Sequence, residues 1–548
     1  MTASVEPDAS TRPASPPPAD RHPRDEPGGG RTARMAHWLA AASGVLAALV
    51  TLAVAEIVAA LVGAPSSPLF AVGSWIVDLA PPGFKEWIIS VFGTDDKAML
   101  FICLGGALLV VAALIGLLEF RRPPLGLIGL GVIAAIATLL VVTRSGATVW
   151  WAAPTLIGSI IGILALQAAI QRLNRWRAAE ARPRRVPGDE SVVARRSFLV
   201  FVGVSAGIAI VAGGIARAIN AGSAAVTTVR ESLRLPRPAR PAAAVPGAAD
   251  LRLPGLSPYV TPAADFYRID TALQVPAVDP AHWKLTIGGM VEHPVSITFD
   301  ELLALPLTEH MLTLACVSND VGGDLVGNAA WLGYPIRELL ARARPTSGAD
   351  MVLSRSVDGW TAGTPLSVLT DPGTQALLAV GMNGNPLPLE HGFPVRMVVP
   401  GLYGYVSATK WVTELTVTRF SQAQGYWSDK GWSVLGPVKT ASRIDRPRGG
   451  ASIAAGRYAV AGVAWDQHTG IQRVEVRVDH ADWVQAQLAE TVSADTWRQW
   501  VYEWDATPGR HTLQVRATNA KGETQTGIEA SPAPNGATGW HTIDVTVH

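Results

Sequence analysis

The pattern of apolar and polar positions divides this chain of 548 residues near residue 222. Five apolar segments precede that point, and each is close to the about 20 residues that cross a bilayer core. They cover residues 37–62, 98–120, 124–142, 152–170 and 197–219. A buried core helix is the alternative for any single segment, but five segments without a charged face favour a five-helix transmembrane bundle within residues 35–222.

The remaining pattern predicts a tail, a linker and a mixed domain. Residues 1–34 are polar and predict a disordered cytoplasmic tail, and the Pro/Ala/Arg-rich residues 223–258 predict a linker. Residues 259–432 mix strand-like stretches such as "HWKLTIGG" with short helices. One helix start has Thr298 and Glu301 in capping-box spacing, and another has Pro335 just inside it. This segment is therefore predicted to be an α+β domain.

The C-terminal residues 437–548 have the alternation of an all-β domain. In "RVEVRVD" the valines alternate with Arg473, Glu475 and Arg477, which is typical of a half-buried strand. Turn sequences such as "HTG", "TPG" and "AKG" separate similar runs. About seven short strands in about 110 residues favour an immunoglobulin-like β-sandwich, with its tryptophans in the core and at its rim.

Basic residues predict the orientation of the spans. Arginines are concentrated in the tail, in the "RRPP" turn at 121–124 and in the connection at 171–196, which contains eight of them. These segments are expected on the cytoplasmic side. An odd number of spans then places the chain after residue 222 outside. We therefore expect a multi-pass cell-membrane protein with a cytoplasmic N-terminus and an extracytoplasmic C-terminal half.

The start of the fifth span resembles an export signal. Arg195 and Arg196, followed by Phe198 and Leu199, are similar to the core of a twin-arginine signal. Two ordinary arginines at the cytoplasmic side are the alternative interpretation. Twin-arginine transport moves folded domains, often with a cofactor already inserted, so the resemblance implies a cofactor in the C-terminal half.

Composition excludes several functions. A net charge of +1 argues against a nucleic-acid-binding protein. His37 is the only histidine at 35–222, so the spans lack paired axial ligands for haem, and no CxxCH motif or iron–sulfur ligand set is seen. With one cysteine in each half, Cys103 and Cys316, no disulfide framework is expected.

Cys316 lies in the polar stretch "TLACVSNDVGG". A lone buried cysteine is more often an inert small apolar residue than a ligand. This one, however, follows the strand-like "HMLTLA" and precedes a Gly-rich turn whose backbone could approach an anionic group closely. At this position a side chain can face a bound group.

Several motifs in order give a specific resemblance. They are "DFYRIDTALQVP", "TLACVSNDVGGDLVGNAAWLGYPIRELL", "SVDG", "AVGMNGNPLPLEHGFPVRMVVPGLYGYVSATKWVTEL" and "GYW". Residues 264–432 resemble the molybdopterin domain of the sulfite oxidase family, and 437–548 resemble the dimerisation domain that follows it. The resemblance implies a molybdenum–molybdopterin cofactor, Cys316 as the metal ligand, and a homodimer through the C-terminal domain.

The same resemblance implies a set of further site residues. Arg268 would orient the substrate, and the pterin and its phosphate would be bound by Phe266, Tyr267, Arg268, Ser356, Asp358, His391, Arg396, Ser407, Thr409 and Lys410. Arg and Lys beside Gly-rich turns suit an anionic phosphate. Arg396 could instead pair with a core carboxylate, and Lys410 could be a solvated strand residue.

The chain also departs from sulfite oxidases. It has Val380 where they have a tyrosine, and Asp320 and Val321 where they have arginines. We expect an oxidoreductase that transfers an oxygen atom to or from a small oxyanion or sulfur compound, with a cytochrome or a quinone-linked protein as electron partner. An S-oxide or N-oxide reductase on the same scaffold is the alternative. A non-catalytic Ig-like binding protein is the alternative of another class.

Overall fold

The computed structural model describes residues 29–63, 66–79, 96–144, 147–181, 189–219, 222–272 and 274–548. The predicted tail lies outside these residues except for its last six, which begin the first helix. The helices of the N-terminal half are α1 (Gly29–Val62), α2 (Pro68–Leu79), α3 (Asp96–Arg121), α4 (Leu125–Val142), α5 (Ala152–Ala181), α6 (Asp189–Ile219) and α7 (Gly222–Ser232).

Four helices in the described part of the chain are long and apolar enough to cross a membrane, where five spans were expected. They are Arg34–Val62, Met99–Arg121, Leu125–Val142 and Val149–Ala179, and they correspond to the first four predicted spans. The fifth, 197–219, lies within α6, but its side chains at 208–219 are outside the described residues. Four of the predicted segments are thus confirmed as apolar helices long enough to cross a membrane, and the count of five is not confirmed.

The chain divides into two compact units. One comprises Met1–Leu52, Gly106–Ala135 and Gly158–Ile210, and the other comprises Ala53–Gly105, Ile136–Ile157 and Val211–His548. In the first unit the backbones of α1 and α3 pack closely against each other. A Cβ on Gly44 would lie only 2.0 Å from the Ala112 carbonyl oxygen. Only glycine permits this approach.

The second unit contains the predicted α+β domain, which has two sheets. Its strands are β1 (Lys284–Gly289), β2 (Val295–Thr298), β3 (Thr308–Ala315), β4 (Val326–Pro335), β5 (Met351–Ser356), β6 (Thr361–Pro365), β7 (Leu377–Met382), β8 (Asn385–Pro386), β9 (Arg396–Val398) and β10 (Val412–Thr418). One sheet has the order β2-β1-β10-β5-β6, and the other has the order β3-β4-β7-β8 with β9 beside β7. Only β1 and β10 pair in parallel among these strands.

Three short helices connect the strands: α8 (Phe299–Leu303), α9 (Ile336–Ala343) and α10 (Leu366–Thr370). The capping box predicted before α8 is present. The Thr298 hydroxyl accepts a hydrogen bond from the Glu301 N–H, and the Glu301 carboxylate accepts one from the Thr298 N–H. The local sequence thus determines where this helix begins.

The C-terminal domain is a sandwich of two sheets, as predicted. Its nine strands are β11 (Ala441–Arg446), β12 (Ser452–Ile453), β13 (Gly456–Trp465), β14 (Ile471–Val478), β15 (Val484–Gln485), β16 (Gln487–Leu488), β17 (Arg498–Ala506), β18 (Gly509–Asn519) and β19 (His541–Val547). The sheet orders are β11-β13-β17-β16 and β12-β19-β18-β14-β15. Three of the strands have only two residues, which is why about seven were expected.

The two domains share one apolar core. Val463, Trp465 and Trp497 of the sandwich belong to the same buried cluster as the α+β domain. Trp497 is 1% exposed, and its indole N–H donates to the Tyr259 carbonyl oxygen at 2.9 Å. Its backbone N–H donates to the Thr313 hydroxyl on β3 at 2.8 Å. The position of β3 therefore depends on both domains.

The stretch predicted as a linker is bound to both domains. Its first residues form α7, and the chain beyond is extended. Ala239 N–H donates to the Leu307 carbonyl oxygen at 2.8 Å, and Leu251 N–H donates to the Gln499 side chain at 2.7 Å. The backbone groups that a free linker would expose to water are thus partly paired.

Because of the shared core, we expect Trp497→Ala to lower the free energy of unfolding of both domains together by about 3–5 kcal/mol. Calorimetry on the purified protein should show one transition for both domains, shifted to lower temperature. Trp483→Ala, at a partly exposed position of the same sandwich, is the control and should shift the transition little. Two separate transitions, with only the sandwich destabilised, would contradict a shared core.

Candidate active site

Cys316 immediately follows β3 and begins a tight turn that ends at Leu325. Its N–H donates to the Leu325 carbonyl oxygen at 2.9 Å, and its carbonyl oxygen accepts from the Asn319 N–H at 3.2 Å. The Asn319 side chain in turn accepts from the Leu325 N–H at 2.8 Å. The strand and the closed turn together fix the cysteine backbone, so the thiol has a defined position.

The surroundings of the thiol suit a metal-bound thiolate. Cys316 is buried, and burial raises the pKa of its thiol. The N–H and hydroxyl of Ser318 and the N–H of Val317 hydrogen-bond to the sulfur and oppose that shift. Three donors directed at one sulfur favour its anionic form once a cation compensates for the lost water.

Phe266 lies at the centre of a cluster of aromatic side chains that includes Tyr267. Phe266 stacks on Tyr267 with ring centroids 5.2 Å apart, and it meets Trp331 and His391 edge to face. A Cβ on Gly327 would lie 2.7 Å from the Phe266 ring, so β4 must have glycine there. Burial raises the pKa of the Tyr267 phenol, and a thiolate at Cys316 raises it further. Tyr267 is therefore a neutral neighbour of the thiol.

Arg396 is a buried cation that has no ionic partner within the described ranges. Its guanidinium donates only to the carbonyl oxygens of His391 and Met397, and it lies 5.1 Å from the Trp331 ring centroid. Burial lowers its pKa to about 10. The suggested alternative, a core carboxylate partner, is therefore wrong. An unpaired buried charge is costly, and an anionic cofactor would supply the missing negative charge.

His391 is neutral in this setting. Burial and the adjacent Arg396 lower the pKa of its imidazole to about 4. Its Nε2 lies 2.9 Å from the Ala263 carbonyl oxygen and donates to it, since that oxygen can only accept. The other ring nitrogen is then an acceptor at neutral pH.

Lys410 is buried, which excludes the alternative of a solvated strand residue. Its ammonium lies 2.7 Å from the Asp270 carboxylate and 3.0 Å from the Glu390 carbonyl oxygen. Arg268 pairs with the same carboxylate at 3.0 Å. Burial lowers the pKa of Lys410 to about 8, and Asp270 opposes this shift. Asp270 thus holds both cations in place; the motif "DFYRID" contains it, but sequence reasoning did not single it out.

The remaining predicted site residues differ in whether their side chains are already hydrogen-bonded within the protein. The Ser356 hydroxyl is buried and makes no hydrogen bond to the described part of the protein, so it is available. Thr409 is bonded to Ser354 at 2.6 Å. Ser407 donates to the Tyr403 carbonyl oxygen at 2.9 Å, and Asp358 accepts from the Trp360 N–H at 3.1 Å. The last two hold local turns.

A cavity of about 450 Å³ reaches Cys316 from the side of the sandwich domain. One wall is the turn at 319–322 with Tyr403, and the other comes from residues 438–442, 465–469, 519–526 and 537–539. Arg268, predicted to orient the substrate, is not part of this lining. Burial raises the pKa of Tyr403 to about 12, so its phenol stays protonated.

Two sandwich residues hold the cysteine turn, and sequence reasoning missed both. Arg443 donates to the Gly323 carbonyl oxygen at 2.7 Å and pairs with Asp445. Gly322 has a φ of +80°, and a Cβ there would lie 2.2 Å from the His541 ring. No motif marks such residues, because they act across the domain boundary.

Comparison with known proteins supports the same interpretation. Residues 272–427 match the family model of the oxidoreductase molybdopterin binding domain, and residues 441–515 match that of a bacterial Ig domain. The predicted order of a molybdopterin domain followed by an Ig-like domain is thereby confirmed.

Individual relatives show how far the similarity extends. The chain is 29% identical over 288 residues to mitochondrial sulfite oxidase of Mus musculus, covering 44% of this chain and 52% of that protein. It is 32% identical over 158 residues to the uncharacterized oxidoreductase YuiH of Bacillus subtilis, covering 29% of this chain and 76% of that protein. The solved sulfane dehydrogenase SoxCD of Paracoccus pantotrophus aligns with a TM-score of 0.45 at 22% identity, over 52% of this chain and 80% of that chain.

The chain spans about half the length of the mammalian sulfite oxidases that it matches. The similarity nevertheless covers 76% of the bacterial oxidoreductase. The match to the family model at residues 272–427 includes the turn that contains Cys316. This chain belongs to the sulfite oxidase family of molybdopterin-dependent oxidoreductases.

Proposed function

We propose that the protein is a membrane-anchored, extracytoplasmic molybdenum oxidoreductase that transfers an oxygen atom in a two-electron reaction. Family membership implies the molybdenum–molybdopterin cofactor, and the oxidoreductase assignment replaces the alternative of a non-catalytic binding protein. The observation that carries the proposal is the buried Cys316 with three hydrogen-bond donors around its sulfur. Tyr267 interacts electrostatically with Cys316 and with Arg396, which has no ionic partner among the described residues.

The residues present fit the cofactor. Cys316 would hold the metal, and Arg396, Lys410 and the unpaired hydroxyl of Ser356 would bind the pterin and its phosphate. The cofactor, when bound, supplies the two-electron redox chemistry. The protein supplies a dry, charged cradle, in which neutral His391 accepts a hydrogen bond and the aromatic rings of Phe266 and Tyr267 exclude water.

We propose that electrons are exchanged with a second protein. We propose a cytochrome or a quinone-linked membrane protein as the partner, and a homodimer through the C-terminal domain. The small-molecule substrate enters through the cavity that reaches Cys316.

The membrane arrangement is part of the same proposal. The four apolar helices, together with α6 as a fifth span, would anchor the chain with its N-terminus in the cytoplasm. Arg195 and Arg196 are exposed at the start of α6, where a transport receptor can reach them. The Arg195 guanidinium lies 5.8 Å from the Trp176 ring centroid. Lysine can keep that contact. Replacing these arginines by lysine therefore tests recognition of the arginine pair without changing the charge.

Cys316→Ser should abolish tight molybdenum binding, because a serine hydroxyl is a harder and far less acidic ligand than a thiol. Metal analysis of the purified protein should find close to stoichiometric molybdenum in the wild type and a loss of about tenfold or more in the variant. Cys103→Ser is the matched control, since this thiol is exposed on α3 and does not line the cavity at Cys316, and the variant should keep its metal. Equal metal content in all three proteins would refute the assignment.

Lys410 should make uptake of the anionic cofactor depend on pH. Its pKa of about 8 lies below the usual lysine value, so the ammonium is charged below pH 8 and loses its proton above it. Uptake of molybdopterin by the apo-protein should therefore weaken as pH rises through 8, by at most about tenfold per pH unit.

Two variants of Lys410 distinguish the effect of its positive charge from a purely structural effect of the side chain. Lys410→Met should weaken uptake by about 2 kcal/mol below pH 8, which is about thirtyfold, since a charged hydrogen bond is lost. Lys410→Arg should bind without the pH dependence, because a guanidinium stays protonated throughout. An identical pH profile for wild type and Lys410→Arg would show that Lys410 is not the titrating group.

Replacing both Arg195 and Arg196 by lysine should leave the C-terminal half in the cytoplasm, since lysine keeps the positive charge but not the twin-arginine pair. Protease added to spheroplasts should cleave the wild-type C-terminal domains and spare those of the variant. The same replacement at Arg184 and Arg185 is the control and should not affect export. Normal export of the Arg195/Arg196 variant would remove the twin-arginine interpretation.

A further inference from the structure

The extended segment that follows α7 carries a row of exposed arginines. Residues 222–245 contain four arginines and a single carboxylate. Arg230 is bonded to the protein, whereas Arg234, Arg237 and Arg240 are exposed. None of these three side chains makes a hydrogen bond or an ion pair within the part of the chain that the structure describes. Three positive charges are therefore open to a ligand.

The spacing of the three arginines places them on one side of the chain. They recur at every third residue in "RLPRPAR", and this proline-rich segment has neither helix nor strand before Arg240. A polyproline II helix has three residues per turn, so residues three and six apart share one face. At about 3.1 Å per residue, the three arginines extend over about 19 Å. We call Arg234, Arg237 and Arg240 the arginine row.

The opposite face of the segment is fixed to the α+β domain. Leu233 and Leu235 pack against the core of that domain. The Arg240 carbonyl oxygen accepts a hydrogen bond from the Glu309 N–H at 2.8 Å. The arginine row is thus held in place before any ligand binds, which lowers the entropy cost of binding.

The helix before the row is bound to the same domain. The Arg230 guanidinium donates to the carbonyl oxygens of Pro386 and Leu387 at 2.9 and 2.6 Å. Val226 belongs to the buried cluster that contains Phe266 and Trp331. A ligand of the arginine row would therefore position the whole domain that contains the proposed cofactor site.

The row also lies close in the chain to the proposed fifth span. Because α6 ends at Ile219 and α7 begins at Gly222, Arg234 lies at most about 35 Å from the end of α6. Extracytoplasmic connections are normally poor in arginine. The other two that are predicted outside, 63–97 and 143–150, contain one arginine between them. The arginines that follow the fifth span therefore need a local cause.

We propose that the arginine row binds anionic phospholipid headgroups of the leaflet where the fifth span ends, and so holds the α+β domain against the bilayer. Headgroup phosphates accept the bidentate hydrogen bonds that guanidinium groups donate. Each arginine close to an anionic membrane surface strengthens binding by about fivefold. Lipid fits better than an acidic protein, because protein interfaces are anchored by aromatic side chains and residues 222–245 contain none. This inference rests on the proposed membrane arrangement.

The test uses the full-length protein in nanodiscs of phosphatidylcholine alone or mixed with phosphatidylglycerol. A glyoxal reagent modifies exposed arginines, and mass spectrometry measures the rate at each position. The arginine row should react at least about fivefold more slowly with phosphatidylglycerol present. Arg448 and Arg510, which are exposed on the sandwich, should react equally in both discs. Salt at about 1 M should remove the protection, because the Debye length falls to about 3 Å.

Variants test whether the row draws the domain to the lipid. A fluorophore on Ala243→Cys, at an exposed position beyond the row, is quenched by spin-labelled headgroups when this segment lies on the bilayer. Cys103→Ser removes the exposed native thiol. Glutamine at all three positions of the row should lower the quenching about fivefold or more in phosphatidylglycerol discs, and lysine should retain it because the charge is kept. Glutamine at Arg448 and Arg510 is the matched control and should change nothing.

The possible failures are distinguishable. If alkaline carbonate releases the protein from membranes without detergent, the proposed anchoring and this inference both fail. If the protein is anchored but the arginine row reacts equally in both discs, only the inference is overturned. Protection by inorganic phosphate in phosphatidylcholine discs would show a site for free anions and not for lipid. Quenching that survives the glutamine replacements would show that the spans alone position the domain.

Discussion

The site depends on the closed turn between Cys316 and Leu325. For the proposed function, the turn has to present the Cys316 thiol to the cofactor while its own backbone stays paired. Asn319 closes it from within, and Arg443 of the sandwich domain holds the Gly323 carbonyl oxygen from outside. Because the anchors come from two domains, the turn keeps its shape only when both are folded and packed together.

This dependence explains why the domains share a core. Trp497 of the sandwich contacts β3 through Thr313, three residues before the cysteine. A shift of the sandwich would therefore move β3, the strand that precedes the thiol. It would also move the sandwich residues that line the cavity at Cys316. On the other side of the site, Asp270 pairs with both Lys410 and Arg268, whereas Arg396 has no carboxylate partner in the described part of the chain. An anionic group of the cofactor would therefore be stabilised most beside Arg396.

Much of this architecture follows from local sequence. The apolar segments, the capping box at Thr298 and the alternation in β14 depend on residues close in the chain, so their periodicity predicts them. Cys316 could be singled out because a polar turn is an unusual setting for a lone thiol. The resemblance then provided the other site residues, whose individual roles remain predictions.

What sequence could not predict depends on contacts between distant residues. Asp270, Arg443 and His541 act through partners that lie more than a hundred residues away, and nothing in their local pattern marks them. That Arg396 has no ionic partner among the described residues could not be predicted for the same reason. The carboxylates that line the cavity also belong to this class, since Asp320 and Glu523 come to the same cavity only in the folded protein.

The central claim is that Cys316 binds molybdenum. X-ray absorption at the molybdenum edge tests it most directly, with the wild type compared against whatever metal-loaded fraction of Cys316→Ser can be isolated. The account predicts one more sulfur neighbour of the metal in the wild type than in the variant. The same number of sulfur neighbours in both proteins would contradict it.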